Sequence, residues 1–330
     1  MTATAVKMPG AAELTLGAWL ADAADKLARA GVESPRLDAR LLAGHGLGWD
    51  AARVLARPEH SLSAADGLGL DKLLARRERR EPLAAITGRR EFWGLDFAVT
   101  GATLVPRPDS ETLVEAALAS VPDRGARMRV LDLGTGSGCL LVALLSELPC
   151  ARGLGVDASE AALAVARLNA KAQGLAGRAR FRQGDWGAGI RGGFELVVAN
   201  PPYVADPDFA GLAPEVARFE PRLALSGGAD GLRCYRALAP WIGRLLVPGG
   251  RALVEIGAGQ ADAVAEILRR HGLRVVALHR DLAARPRVLE ARGKIRGKIR
   301  GKTLGKAQAM DRRGDPPRRP KTPDRKKRLE

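Results

Sequence analysis

Residues 128–147 read MRVLDLGTGSGCLLVALLSE: a short apolar run, three glycines at alternate positions and a second apolar run. This order predicts a buried strand, a tight loop and a helix. Gly134, Gly136 and Gly138 carry no Cβ atom, so the backbone of the loop can approach a ligand closely. Asp157 ends the next predicted strand, 21 residues after Gly136, where a carboxylate can accept hydrogen bonds from both hydroxyls of a ribose. The stretch therefore predicts a nucleoside-binding loop at the edge of a sheet.

Strand-like and helix-like segments alternate onward from this stretch, as far as residue 292. Seven strands and four helices are predicted there. Such alternation is typical of an α/β fold, with a mostly parallel sheet covered by helices. Ligands of these sheets bind at the carboxyl ends of the strands. We therefore expect the functional residues at strand ends.

Composition divides the chain into four parts. Apolar residues at helical spacing predict a helical N-terminal domain over residues 1–82, which we expect to recognise the substrate. Glycines punctuate short β-prone runs over residues 83–105, which predicts a hairpin linking two domains. The alternating α/β domain is assigned to residues 106–292. Residues 293–330 are rich in proline, glycine and positive charge, which predicts a disordered tail.

Two helix starts can be read in the N-terminal domain. Ser34 precedes a proline, as expected of an N-cap followed by the first helical position. Ser63 is a second candidate N-cap. Leu37, Leu41 and Leu42 are expected to form the apolar face of the helix that follows Ser34.

The positive charge is concentrated at one end of the chain. The net charge is +16, of which residues 293–330 contribute +11 through 15 Lys or Arg and 4 Asp or Glu. The other 292 residues carry only +5. The three cysteines are scattered without CxxC spacing, so neither a disulfide framework nor a metal site is expected.

Nothing in the sequence indicates a membrane or secreted protein. No apolar run reaches the roughly 18–20 residues of a membrane span. The first residues, MTATAVKMPGAAEL, lack the apolar segment of a secretory signal. We expect a cytoplasmic protein, with a monomer as the simplest state.

The glycine spacing favours one cofactor over another. The acid spacing suits a dinucleotide such as NAD as well, but GxGxG departs from GxGxxG. DLGTGSG instead resembles motif I of class I methyltransferases, which have a Rossmann-like sheet and bind S-adenosyl-L-methionine. Trp186 follows the third predicted strand, at an edge that lines the adenine in this fold, where its flat ring can stack. The alternative is that Trp186 is a core residue.

The fourth predicted strand ends in Asn200, followed by two prolines and a tyrosine. A planar NH2 group, on an amide or a nucleobase, is a poor nucleophile because its lone pair is delocalised. A site can help by accepting hydrogen bonds from both N–H groups, through the side-chain oxygen of Asn200 and the backbone carbonyl of Pro201. Prolines fix φ near −65° and hold these carbonyls extended. Tyr203 could lie flat against the planar group.

A longer series of motifs resembles the PrmC/HemK family, which methylates the GGQ glutamine of class I peptide-chain release factors. It includes TGRREFWGLDFAV, LVPRPDSETLVE, DLGTGSG, NPPYV and LVEIGAGQ. The resemblance covers about residues 15–292. One departure stands out: the usual PRPETE reads PRPDSE here, which keeps the charge and the hydroxyl.

The resemblance also implies roles for particular residues. The cofactor contacts it implies are Gly134, Thr135, Gly136, Ser137, Gly138, Asp157, Trp186 and Asn200. The residues it implies as catalytic, holding the glutamine amide, are Asn200, Pro201, Pro202 and Tyr203. Arg107 and Glu111 would shape the entrance and bind substrate, although their chemistry equally suits a structural ion pair.

Two other functions stay open at this point. The first is an exocyclic-amine methyltransferase of RNA or DNA, of the adenine N6 type, which the basic tail favours because Lys and Arg attract phosphate. The low charge of the other 292 residues argues against it. The second is a binding module whose tail docks on ribosomal RNA and whose fold has lost catalysis. The presence of every residue that the chemistry needs argues against that.

Overall fold

Five helices form the N-terminal part of the fold in the computed structural model, which describes residues 14–293. They are α1 (Leu16–Arg29), α2 (Pro35–Leu47), α3 (Ala51–Ala56), α4 (Ala64–Glu78) and α5 (Leu83–Thr87). Their inward side chains, among them Leu16, Trp19 and Leu27, are almost fully buried in a core of their own. The helical N-terminal bundle expected from the sequence is thus present.

The helix starts are where the sequence predicts them, but one apolar face is not. The hydroxyl of Ser63 accepts a hydrogen bond from the Asp66 backbone N–H at 3.1 Å, whereas Ser34 occupies the N-cap position without a side-chain bond. In α2, Leu42 is buried but Leu37 and Leu41 are exposed, so the expected face is wrong. The helix instead turns Asp38 inward, where it forms an ion pair with a buried arginine of α4.

A short hairpin follows the helices, formed by β1 (Arg89–Phe92) and β2 (Leu95–Ala98). Trp93 and Gly94 make its two-residue turn, and both have positive φ, as hairpin turns of this length require. Phe92 and Phe97 anchor the hairpin in the core of the following sheet. A hairpin is thus present where one was predicted, but it covers residues 89–98 of the expected 83–105, and residues 83–87 form α5 instead. Its role as a linker of domains stays a prediction.

The rest of the described chain alternates between helix and strand. In chain order the elements are α6 (Glu111–Ser120), β3 (Arg129–Leu133), α7 (Cys139–Glu147), β4 (Arg152–Asp157), α8 (Glu160–Ala172), β5 (Ala179–Gln183), β6 (Phe194–Ala199), β7 (Val204–Ala205), α9 (Pro214–Phe219), β8 (Ser226–Gly228), α10 (Arg233–Leu245), β9 (Leu246–Glu255), α11 (Ala261–Arg270), β10 (Arg274–Arg280) and β11 (Pro286–Arg292). The seven predicted strands are all present. The sequence did not predict α6, α9 or the small pair β7 and β8.

The seven long strands form one sheet in the order β10-β11-β9-β6-β3-β4-β5. Pairing is parallel from β9 to β5 and antiparallel at β11 and β10. Successive side chains point to opposite faces, so Val130 belongs to a core with α6, α7 and α8, and Leu131 to one with α10 and α11. Helices on both faces of a mainly parallel sheet confirm the predicted α/β class.

The strand order places the functional motifs together. After β3, the chain builds β4 and β5 on one side and then returns to build β6 on the other side of β3. Ligands bind where the order reverses in this way, at the carboxyl ends of the strands. The loop 134–138, called the glycine loop below, follows β3, and Asn200 follows β6. Both therefore open onto the same crevice.

Four features considered in the sequence analysis are the cysteines, metal binding, membrane spans and the tail. Cys139, Cys150 and Cys234 are free thiols. Within residues 14–293, no group of three or more His, Cys, Asp or Glu is placed to hold a metal ion, and no helix there is long and apolar enough to cross a membrane. The predicted tail, apart from Gly293, lies outside the described residues.

Candidate active site

A cavity of about 320 Å³ lies at the carboxyl ends of the parallel strands. Its walls include the glycine loop except Gly138, together with Asp157, Trp186, Asn200 and Pro202. Pro201 and Tyr203 are not part of this lining. A pocket of this size can hold a small organic molecule. Topology thus unites most of the predicted site residues around one cavity.

The glycine loop is held open by backbone geometry. Gly134 has φ +78°, a conformation that residues with a side chain rarely adopt. A Cβ atom at this position would lie 3.5 Å from the Trp186 ring. The N–H groups of Gly134 and Thr135 both donate to the Val156 carbonyl, at 2.8 and 2.9 Å. The loop therefore leaves clear space beside the indole.

Asp157 stabilises the glycine loop from the next strand. Its Oδ2 accepts from the backbone N–H of Gly136 at 2.8 Å, and its Oδ1 accepts from that of Ser159 at 2.9 Å. A carboxylate can accept about four hydrogen bonds, so lone pairs remain for a ligand. Because Asp157 also lines the cavity, it can accept hydrogen bonds from a diol there.

Trp186 is both a cavity-lining residue and a core residue, the two alternatives considered from the sequence. The half-buried indole lines the cavity and also packs against the core beneath α10 and α11. Its backbone has φ +47°, an uncommon conformation for a bulky residue. The ring is therefore fixed by the core while one part of it stays available to a ligand.

Asn200 has one of its two polar atoms committed to the protein. Its Nδ2 donates to the hydroxyl of Ser110, in the turn before α6, at 3.1 Å. On the far side of the prolines, the Tyr203 carbonyl accepts from Nε2 of Gln260 at 3.0 Å. Burial raises the pKa of the Tyr203 phenol to about 12, so it stays protonated at neutral pH. The NPPY segment is thus held at both ends.

Arg107 and Glu111 do not pair with each other. Arg107 donates through Nη2 to both carboxylate oxygens of Glu220, at 2.7 and 2.8 Å. Glu111 accepts from the backbone N–H of Trp93 in the hairpin turn at 2.9 Å. Arg107 lines the cavity, but Glu111 is not part of the lining. The two residues implied for the entrance therefore bind different partners, and only Arg107 is in the cavity wall.

Sequence reasoning missed two buried acids near the cavity. Burial raises the pKa of Asp132 to about 7, although the Thr135 hydroxyl donates to it at 2.6 Å. Burial likewise raises the pKa of Glu255, at the end of β9, to about 7. The available signal was an acid at the end of an apolar strand, in VLDL and in ALVE.

The residues present fit S-adenosyl-L-methionine. Asp157 can accept hydrogen bonds from ribose hydroxyls, and the free part of the Trp186 ring can contact an adenine. The space beside Gly134, which a Cβ would enter, allows close approach to the loop backbone. Asn200 lines the same cavity.

Comparison with known proteins gives the family. Residues 18–88 match the PrmC N-terminal domain and residues 110–215 the methyltransferase small domain. A release factor glutamine methyltransferase from Rhodospirillum rubrum is 50% identical over 279 residues, covering 84% of this chain and 85% of that protein. One from Cereibacter sphaeroides is 46% identical over 270 residues, covering 82% and 95%.

Among solved structures, the catalytic domain of hMettl16, in complex with the MAT2A 3'UTR hairpin 6, superposes with a TM-score of 0.51. It is 16% identical, and the match covers 68% of this chain and 82% of that one. This likeness shows a shared fold. Given the extent of identity to the curated relatives, the chain belongs to the release factor glutamine methyltransferase family.

Proposed function

We propose that this chain transfers a methyl group from S-adenosyl-L-methionine to the side-chain amide nitrogen of the GGQ glutamine in class I peptide-chain release factors. The observation that carries the proposal is the placement of Asn200 in the wall of the cavity, with Nδ2 bonded to Ser110. This bond leaves Oδ1 to accept a hydrogen bond from a planar NH2 group. The names of relatives up to 50% identical supply the substrate.

The cofactor supplies a methyl group already activated by its sulfonium. The chain's own residues would hold it: Asp157 would accept from the ribose hydroxyls, Trp186 would contact the adenine, and Gly134, Thr135, Gly136 and Ser137, with Gly138 completing the loop, would form the surface against which it lies. Asn200 contacts both cofactor and substrate. In this arrangement the protein mainly positions the reactants, and good alignment contributes on the order of 7–11 kcal/mol.

The substrate amide is oriented by two acceptors. Oδ1 of Asn200, in the cavity wall, and the backbone carbonyl of Pro201, the next residue although outside that lining, each accept one of its N–H groups, while Pro202 and Tyr203 hold these atoms in place. With S-adenosyl-L-methionine bound, the oriented amide nitrogen would receive its methyl group. The electrons of the broken carbon–sulfur bond would stay with the departing thioether, and one amide proton would leave to water. A strong general base is not required if this proton leaves as or after the N–C bond forms.

We also propose that Arg107 contacts the substrate. Its guanidinium lines the cavity while bound to Glu220, so it can meet the backbone of an entering peptide. Glu111 would act indirectly, by fixing the hairpin turn at Trp93. We further propose that the reaction takes place in the cytoplasm and that the chain works as a monomer.

The alternative is methylation of an exocyclic amine in RNA or DNA. The NPPY segment alone accommodates that chemistry, because nucleobase amines are also planar. The weak net charge of the chain outside its tail, and the match of residues 18–88 to the PrmC N-terminal domain, favour a protein substrate. Weak RNA or ribosome contact through the tail 293–330 is compatible with either substrate and is proposed as an accessory function.

The test is a transfer assay with labelled S-adenosyl-L-methionine. The purified chain is incubated separately with a class I release factor, with its GGQ glutamine replaced by alanine, and with total RNA or DNA. Asn200→Ala is run in parallel. We expect label on the unaltered factor alone, lost in Asn200→Ala. Label on nucleic acid, with none on the factor, would overturn the proposal in favour of the alternative.

A further inference from the structure

The amide of Asn200 can face the cavity in two orientations, which exchange the positions of its oxygen and nitrogen. Only the orientation with oxygen in the cavity can accept a hydrogen bond from a substrate amide. The hydroxyl of Ser110, 3.1 Å from Nδ2, does not settle the matter alone. A hydroxyl can donate as well as accept, so it would tolerate either orientation. A further group must fix the direction of the hydroxyl.

Glu255 is placed to do this. It ends β9, the strand beside β6, and is 2% exposed. The side chains of Ser110 and Asn200 lie close enough to this carboxyl to lower its pKa, against the larger effect of burial. In the described part of the chain, Oε2 of this carboxyl has no hydrogen-bond partner. A buried carboxylate with unused lone pairs is unfavourable, so a nearby hydrogen-bond donor stabilises it.

The direction of the hydrogen bonds follows from the charge of Glu255. An ionised carboxylate can only accept, so a Ser110 hydroxyl that bonds to it does so as the donor. The lone pairs of the Ser110 oxygen are then left to accept from the Asn200 NH2 group. This directs Oδ1 of Asn200 away from Ser110, toward the cavity. The flipped amide would place its oxygen beside two acceptors and would be repelled.

We propose that Ser110 and Glu255 are positioning residues that fix the amide of Asn200 with its oxygen toward the substrate. The inference rests on the proposed function, because it matters only if Asn200 receives an N–H group. It also gives a role to the PRPDSE stretch: Ser110 keeps the hydroxyl of the usual threonine, and the hydroxyl is the atom that makes the bond.

The ionisation of Glu255 depends on charged and titratable groups around it. Burial is the main cause that raises the pKa of Glu255 to about 7, and Asp109 raises it further, whereas the Ser110 and Asn200 side chains and Arg287 of β11 lower it. The other titratable groups that interact with it are Tyr203 after β6, Tyr235 of α10 and Cys139 of α7, all with raised pKa values. As the pH falls through about 7, Glu255 gains a proton that it can donate to Ser110, and the orientation of Asn200 is no longer enforced.

Three substitutions separate positioning from structural support. Ser110→Ala removes the hydroxyl, and Ser110→Thr restores it. Glu255→Gln keeps the size of the side chain, but its NH2 group can donate to Ser110, which then can donate to the flipped Asn200. Ser120→Ala is the matched control, because Ser120 is the buried last residue of α6, the helix that Ser110 precedes, and its hydroxyl bonds to the Ala117 carbonyl.

The experiment measures kcat and KM on a class I release factor, the Kd for S-adenosyl-L-methionine, and kcat between pH 5.5 and 8.5. We expect Ser110→Ala and Glu255→Gln to lower kcat about 100-fold, as for loss of one oriented hydrogen-bonding group. Their KM and Kd should stay near the wild-type values. Ser110→Thr and Ser120→Ala should retain wild-type kcat. Wild-type kcat should fall below about pH 7, and Glu255→Gln should lack this fall.

The outcomes distinguish the two proposals. No methylation of the factor by the wild-type chain would overturn the proposed function. Methylation by the wild type together with full activity of Ser110→Ala, or equal impairment of Ser110→Thr and Ser110→Ala, would overturn the positioning role alone. So would a wild-type pH profile in Glu255→Gln.

Discussion

Glu215 of α9 accepts hydrogen bonds from Arg80, in the turn between α4 and α5, at 2.6 and 2.8 Å. It also accepts from Arg77 at 3.0 Å, and Arg77 is itself paired with buried Asp38. The segment that contains α9 continues into Pro221 and Ala224, which line the cavity. One carboxylate therefore joins the helical part of the protein to a wall of the candidate site.

Replacing this carboxylate should loosen that wall. We expect Glu215→Ala to lower the free energy of unfolding by about 2 kcal/mol, since hydrogen bonds to charged groups are worth about 1.5–3 kcal/mol. We also expect kcat/KM for the release factor to fall more than the affinity for S-adenosyl-L-methionine. Urea unfolding and steady-state kinetics measure the two effects.

Glu266→Ala is the control for Glu215→Ala. Its bonds to Arg270 and Arg269 lie on the exposed surface of α11, where an ion pair contributes about 0–1 kcal/mol. If both variants behaved alike in unfolding and in kcat/KM, Glu215 would have no special role in joining the two parts.

The glycine loop gives a second prediction. Gly134→Ala should destabilise the fold by about 1–2 kcal/mol through its positive φ, and its methyl group would enter the space beside Trp186. We expect a lower affinity for S-adenosyl-L-methionine in a calorimetric titration. Gly174→Ala is the control, with φ +71° and no atom within 4 Å of the added Cβ. Gly174→Ala should lose stability but bind the cofactor normally. Equal loss of affinity in both variants would show that the glycine loop has no special role in binding the cofactor.

The buried acid Asp132 predicts how stability changes with pH. Its folded pKa, about 7, is raised above the ordinary 3.8, so the folded state binds the proton more tightly than the unfolded state. The contribution of Asp132 is therefore most favourable at low pH and becomes less favourable as pH rises from about 4 through 7. Between pH 5 and pH 8 the change is roughly 2–3 kcal/mol.

Asp132→Asn should remove this dependence. We expect its free energy of unfolding, relative to that of the wild type, to rise between pH 5 and pH 8 in urea titrations. The side-chain oxygen of Asn can accept from the Thr135 hydroxyl as the Asp132 carboxyl does, so this hydrogen bond is preserved in the variant. A constant difference between the two proteins across this range would show that Asp132 is not protonated near neutral pH.

The basic tail gives a prediction from charge alone. Removing the tail, residues 293–330, should leave methylation of a free release factor unchanged, because the residues that line the candidate site lie between positions 102 and 234. Binding to ribosomal RNA at low salt should weaken strongly, as phosphate contacts by Lys and Arg are lost. Unchanged RNA binding, or unchanged co-sedimentation with ribosomes, would remove the tail from the proposal.

The sequence predicted those features that depend on backbone pattern. The strand around Val130, the loop at Gly134 and the strand ending at Asn200 each show in local composition. Because carboxyl ends of parallel strands meet at a switch point, their convergence could be predicted as well. The boundaries of the domains remain predictions.

The partners of individual side chains were not predictable in the same way. Ser110 and Asn200 are 90 residues apart, and Arg107 and Glu220 are 113 apart, so nothing in local spacing links them. The burial of Asp38 could not be predicted either, because a charged residue in a leucine-rich helix is expected to be exposed unless its ion-pair partner is known. These pairings arise only when the elements pack.

The most direct measurement is identification of the modified atom. A class I release factor from cells that lack this activity is treated with the purified chain and S-adenosyl-L-methionine, and its peptides are fragmented in a mass spectrometer. We predict a single methyl group on the amide nitrogen of the GGQ glutamine, absent after treatment with Asn200→Ala. A methyl group at any other residue, or an unmodified factor beside methylated RNA from the same reaction, would contradict glutamine methylation by the NPPY site.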